Sequence, residues 1–173
     1  MTATETWARE LMAFAQDKLA RHLAQTARCV QLLDAAEVWQ RTNEHTNSVG
    51  NLVLHLTGNV RQWVVSGLGG TPCERDRPAE FAQRGPLPAR RILCELEQVV
   101  QRALSILGAL DEAALLRRYA IQGYDVSGVA VVFHIVEHFS WHTGQIVHVT
   151  KMLRNVDLSL YDAQGHRAPG GAP

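Results

Sequence analysis

Three histidines recur at four-residue intervals in the stretch "HIVEHFSWHTGQI", residues 134–146, where a bundle helix would ordinarily carry aliphatic side chains. Two imidazoles at i and i+4 on a helix can direct their ring nitrogens at one ion, at about 2.0–2.1 Å for zinc. Advancing about 100° per residue, Val131, Ile135, His142, Ile146, Val149 and Leu153 fall within about 80° of His138. On this projection His138 and His142 sit near the middle of the buried stripe. His134 lies about 40° to the other side, with Trp141 beyond it. Burying two adjacent imidazoles demands partners for four ring nitrogens, and a first-row divalent ion satisfies both rings at once.

A third ligand would have to come from a facing helix, which is how metal sites in bundles are built. His55 lies at the edge of an apolar arc formed by Val49, Leu52, Leu56, Val60 and Trp63, with Asn59 one turn further along. It is the best third ligand available. Three neutral histidines would leave a position open for water or substrate, as in catalytic sites. Hydrogen-bonded core histidines fit the same spacing, so the residues alone leave both readings open. Gln145, about 20° from His138, could support such a site or tie helices together, and His134 is placed in a supporting or lining role. His22, His45, His148 and His166 read as solvated or capping residues. Trp63 and Trp141 read as core or dimer contacts. Asp76 and Glu80 in "RDRPAEF" read as ion-pairing and capping residues that fix a loop.

The elements that would position these residues are helical. Heptad-like spacing of Trp7, Leu11, Phe14, Leu19, Leu23, Val30 and Leu33 predicts a first helix over residues 5–33. "QRTNEHTNS" then turns the chain, and Asn47 or Ser48 is placed to cap a second helix reaching Leu68. Residues 67–88 hold four glycines and four prolines and predict a long loop. A third helix is expected over residues 88–110, with Pro88 in its first turn. Residues 111–126 are irregular, with room for a short extended piece, and a fourth helix runs from Ser127 to Arg154. The expectation is an all-α four-helix bundle over residues 1–162, with a flexible tail over 163–173.

Bulk properties narrow the function classes. The chain has 173 residues with Lys+Arg and Asp+Glu balanced at 17 each, so no net field draws it to nucleic acid or an anionic membrane. No apolar run reaches the roughly 18 residues that a membrane span needs. Met1 to Ala8 lacks the pattern of a signal peptide. Three widely spaced cysteines suit reduced thiols, so a cytoplasmic location is expected.

"NSVGNLVLHLTGNVRQWVVSGL" (47–68), "RDRPAEF" (75–81) and "HIVEHFSWHTGQIVHVTKML" (134–153) together resemble the DinB/YfiT-like metalloenzyme superfamily. The subgroup most similar is the DUF1572-like one, a domain of unknown function. The resemblance implies a bundle in up-down-down-up order with a long loop after helix 2, and a homodimer. It implies a metal held by His55, His138 and His142, with nickel or zinc as the ion. It also implies thiol-dependent transferase chemistry, using a low-molecular-weight thiol on a small-molecule electrophile. Arg61, Arg75, Arg77, Arg117 and Arg118 would then be the cations available to the thiol's carboxylates, each having a surface salt bridge as its plain alternative. Metal-dependent hydrolysis and a non-catalytic metal-binding or stress-response bundle are the other functions weighed.

Overall fold

A computed structural model describes residues 3–166 of the chain. In order these form α1 (Ala3–Leu32), a 3₁₀ turn (Glu37–Trp39), α2 (Val49–Val60), α3 (Arg77–Ala82), α4 (Ala89–Gly108), α5 (Glu112–Leu116), a hairpin of β1 (Arg118–Ile121) and β2 (Tyr124–Ser127), and α6 (Gly128–Arg154). The helix of α2 continues without a break into wider π-helical turns over Arg61–Leu68. The fold is therefore an all-α bundle of four long helices. α1 packs on α6 and α4, and α2 packs on α4 and α6. Two helices consecutive in sequence thus face each other across the bundle, which excludes simple sequential winding.

Local chemistry sets the ends of the two helices that matter for the site. Ser48 caps α2: its hydroxyl accepts from the Asn51 backbone N–H at 3.1 Å while the Asn51 side-chain oxygen Oδ1 accepts from the Ser48 N–H at 3.2 Å. Ser127 caps α6 by accepting from the Ala130 N–H, and Asn155 ends it in the left-handed region. The core is continuous, with Leu19 and Val30 of α1, Leu52, Leu56 and Val64 after the first cap, Leu96 and Val100 of α4, and Ile135, Phe139 and Ile146 of α6 all buried. Burial of such side chains, at about 25 cal/mol per Å² of apolar surface, drives the helices together.

Several expectations need correction. The loop after α2 is not irregular throughout, because Asp76 caps the short helix α3 by accepting from the Ala79 N–H at 3.0 Å. Pro88 occupies the N-cap position of α4 and not its first turn. Residues 111–126 hold α5 and most of a two-stranded hairpin, pairing Arg118 with Ser127 and Ile121 with Tyr124. On α6 the centre of the buried stripe is Ile135, Phe139, Thr143 and Ile146, which face α1 through such contacts as the Thr26–Thr143 hydroxyl pair at 3.3 Å. His138 and His142 flank that stripe and are half-buried, because they point toward α2. His55, expected at an arc's edge, is 3% exposed, since α2 is covered by α4, α6 and the segment bearing α3. His22 is half-buried with its ring stacked toward Phe139, not solvated. Of the expected tail, residues 163–166 turn back on the Asp162 carboxylate and 167–173 lie outside the described residues.

Candidate metal centre

One ring nitrogen from each of His55, His138 and His142 lies within 4.8 Å of the other two. The Nε2 atoms of His55 and His138 are 2.9 Å apart. The rings meet edge to face, with centroids 5.0 Å apart for His55 and each of the others and 4.5 Å apart for His138 and His142. Spacing along α6 fixes the last two, and the packing of α2 against α6 brings the first.

The segment after α2 completes the site. Glu80, on α3, accepts at Oε2 from His55 Nδ1 at 2.9 Å. The same carboxylate takes Arg75 Nε on Oε1 at 2.7 Å and Arg75 Nη2 on Oε2 at 2.8 Å, a forked pair with side chains 5% and 11% exposed. Arg75 reaches further, from Nη1 to Gln62 Oε1 at 2.9 Å. Asn51 holds this segment down, donating from Nδ2 to the carbonyls of Glu80 and Gln83 at 2.9 Å each. Burial opposes ionisation of Glu80, but the hydrogen bonds from His55 and Arg75 and the Arg75 charge outweigh it and hold the carboxyl below its ordinary range.

These partners decide where the imidazole protons sit. A carboxylate only accepts, so the Glu80 bond puts the His55 proton on Nδ1 and a lone pair at Nε2. Arg75 Nη2, a donor 3.1 Å from the same Nδ1, is taken up by Glu80 Oε2 at 2.8 Å and the His55 carbonyl oxygen at 3.4 Å. Gln145 Oε1 lies 2.7 Å from His142 Nδ1, which assigns that proton likewise and leaves the His142 Nε2 lone pair free. His138 is pushed down to about 3 by burial and then by repulsion from the neighbouring His142, His55, His134 and Arg75. Burial lowers His142 as well. Ring nitrogens only 2.9 Å apart need a proton or a cation between them, because two facing lone pairs repel. At zinc–nitrogen bonds of about 2.05 Å and tetrahedral angles, ligand nitrogens are roughly 3.3 Å apart, close to the separation of His55 and His138. The donor set fits a divalent ion.

His134 stands beside this cluster and not in it. Its Nε2 lies 3.4 Å from Asn59 Nδ2, and its ring stacks on Trp63 at 3.9 Å between centroids. Both residues line a cleft of about 360 Å³ together with His55, His138, Arg77 and Tyr124. Trp63 is buried and donates from Nε1 to Gln122 Oε1 at 3.0 Å, whereas Trp141 is 68% exposed and faces outward from α6. Arg75 corrects the expectation of a surface charge. The reading of "RDRPAEF" found the cap and the ion pair but missed the bond to His55. Nothing local in the sequence signals that bond; only the folding of α3 onto α2 creates it.

Comparisons with known proteins agree on family and fold. The model of a protein family of unknown function, DUF1572, matches residues 6–162. No curated protein matches the chain. A conserved protein from Enterococcus faecalis superposes with a TM-score of 0.71 at 15% identity, covering 83% of this chain and 97% of its own. A DinB-like protein from Bacillus subtilis gives 0.64 at 16% identity, covering 88% and 99%. A second DinB-like protein, from Bacillus cereus, gives 0.59 at 15% identity, covering 77% and 86%. With a family match over nearly its whole length and these neighbours in fold, the chain belongs to the DUF1572 family and has the DinB-like bundle.

Proposed function

We propose that the chain is a metal-dependent enzyme whose ion is held by His55, His138 and His142, and that it transfers a low-molecular-weight thiol to a small electrophile. The observation that carries the metal reading is the convergence of three imidazoles, two of them with their outer nitrogens already committed to Glu80 and Gln145. Imidazole ligation suits nickel and zinc alike. A bound divalent ion would supply acidity, lowering the pKa of a thiol so that it is a thiolate near neutral pH. The chain's own residues orient and exclude. Glu80 keeps the proton on His55 Nδ1, Arg75 keeps Glu80 ionised, Phe81 lies against the ring of His55, and Trp63 lies against that of His134.

The thiol-dependent part of the reading rests on the superfamily resemblance and on a cleft that opens beside the histidines. Among the described residues no helix is long and apolar enough to cross a membrane. Three free cysteines support a reducing, cytoplasmic setting. Phe133 and Trp141, 63% and 68% exposed on one side of α6, support a homodimer through that helix, which sedimentation at micromolar protein would check.

The test is direct. Protein purified without added metal should carry close to one equivalent of nickel or zinc per chain, and His138→Ala should carry none. Thermal shifts of the loaded protein with glutathione, mycothiol and bacillithiol then follow. A metal-free wild type would overturn the metal reading. Loaded protein that responds to none of the three would overturn thiol transfer alone.

A further inference from the structure

Five arginines were open to a role in binding an anion, and the structure separates them. Arg118 pairs with Asp125, Arg117 donates to the Tyr119 hydroxyl, and Arg75 is consumed by Glu80 and Gln62. Arg61 opens onto different clefts, beside Cys73 and Glu95. Arg77 alone of the five both lines the cleft beside the histidines and has no carboxylate partner among the described residues.

Its placement is defined. The guanidinium carbon sits 5.0 Å above the Phe81 ring, and that ring is 4.6 Å from the ring of His55. No carboxylate is paired with this guanidinium among the described residues, and its in-plane N–H edge is the one that matches a planar carboxylate. The cleft itself contains no aspartate or glutamate. Glu80, the nearest acid named in the site, is already matched by Arg75. Imidazole ligands bring no negative charge to an ion, so the charges of a divalent cation and of Arg77 meet nothing in the cleft that offsets them. The ligand must supply it.

We infer that the cleft binds a small carboxylate, with its ligating head at the three histidines, its carboxylate on the Arg77 fork and its short apolar body against Trp63 and Tyr124. This rests on the metal reading above and names the class of molecule that site takes. Tyr124 and Trp63 both line the cleft, with ring centroids 6.3 Å apart.

The experiment compares 3-mercaptopropionate with its methyl ester, two probes with the same thiol that differ by one charge. Binding to nickel- or zinc-loaded full-length protein is measured by calorimetry after metal content has been determined. The acid should bind about tenfold more tightly than the ester, the least that one charge-assisted hydrogen bond gives. Arg77→Gln should erase that preference with metal content unchanged, and Arg77→Lys should restore part of it. Arg102→Gln, which removes an equal charge from a different cleft, should leave it intact. Equal affinities of wild type for acid and ester, no measurable binding of the acid, or a preference that survives Arg77→Gln would each overturn the inference while the metal site stands. Absence of metal from the wild type would overturn both, and is seen before any probe is added.

Discussion

Replacing Glu80 with glutamine tests whether the loop after α2 is only a cover or sets the chemistry of His55. The carboxylate accepts from Arg75 at 2.7 and 2.8 Å and from His55 Nδ1 at 2.9 Å, and its side chain is 11% exposed. Removing one partner of a buried ion pair costs about 3–5 kcal/mol. Glutamine retains one carbonyl oxygen, so the lower end applies, about 3 kcal/mol of unfolding free energy. Its amide must turn an N–H toward either Arg75 or His55, and both of those are donors. If it faces His55, the imidazole lowers its energy by moving the proton to Nε2, where the ion would bind. Loss of such a supporting bond typically costs about 10–100-fold in metal affinity. Urea unfolding of the metal-free protein reads the first effect, and competition with a chelator reads the second. A variant that loses stability yet binds metal within about twofold of wild type would show Glu80 to be a clamp on the loop with no hold on the tautomer. One that loses neither would refute the buried network itself.

Three further outcomes follow from the same geometry. At metal concentrations about 100 times the dissociation constant, binding adds about 2.7 kcal/mol, or roughly 5–10 °C in melting temperature for a chain of this size. Chelation should remove that shift from wild type and do nothing to His138→Ala. The pH dependence of the metal-free protein has a defined sign. His138 falls to about 3 from 6.5, with burial also lowering His134 and His142, so the unfolded chain binds more protons in that window. Stability should be level above about pH 6.5 and fall as the pH is lowered from there toward 3; a flat profile by denaturant titration across that range would contradict it. Finally, a methyl group on Gly58 would collide with Glu80 Oε1 and stand 2.8 Å from Arg75 Nε. Gly58→Ala should cost about 1–3 kcal/mol by overpacking and weaken metal binding as Glu80→Gln does, although it touches neither the ion nor a ligand.

Gly58 also shows where the sequence stops being legible. The ligands could be found because helical periodicity is local: His138 and His142 are one turn apart on any straight helix, and His55 projects from a second helix with its own apolar arc. The class of fold followed from the same period, and the cap at Ser48 from residue chemistry. What periodicity cannot show is which loop returns to which helix. Glu80 is 25 residues from His55, and Arg75 is 20, with Gly/Pro-rich chain between. The short α3 and α5 escaped for a similar reason, and of the hairpin only a short extended piece was legible, since elements of four to six residues draw their stability from the surface they land on. The flank position of His138 and His142 was misjudged because the projection was centred on the histidines, and not on Phe139 and Thr143, which face α1.

That division has a physical logic that bears on how the site works. The three ligands sit on long helices whose mutual position is fixed by the hydrophobic core, so their spacing is stiff. Their protonation and charge balance are set instead by one connecting segment, pinned at Asn51 through two backbone carbonyls and at the Asp76 cap. Asn51 is fully buried and shares its side chain between the α2 cap, through Oδ1, and this connection, through Nδ2. The turn that starts the ligand-bearing helix and the segment that tunes its ligand are therefore one hydrogen-bonded unit. Asn51→Ala would leave two carbonyls without donors, at about 1–3 kcal/mol for each buried group left unsatisfied. Because the His55, His138 and His142 backbones are held by other contacts, the change should loosen Glu80 from His55 before it moves the ligands. Metal affinity should then fall while the helical content measured by circular dichroism stays at the wild-type level. Loss of helix in step with loss of metal would mean that the loop and the bundle fold as one, and that the stiffness assigned here to the ligand helices is wrong.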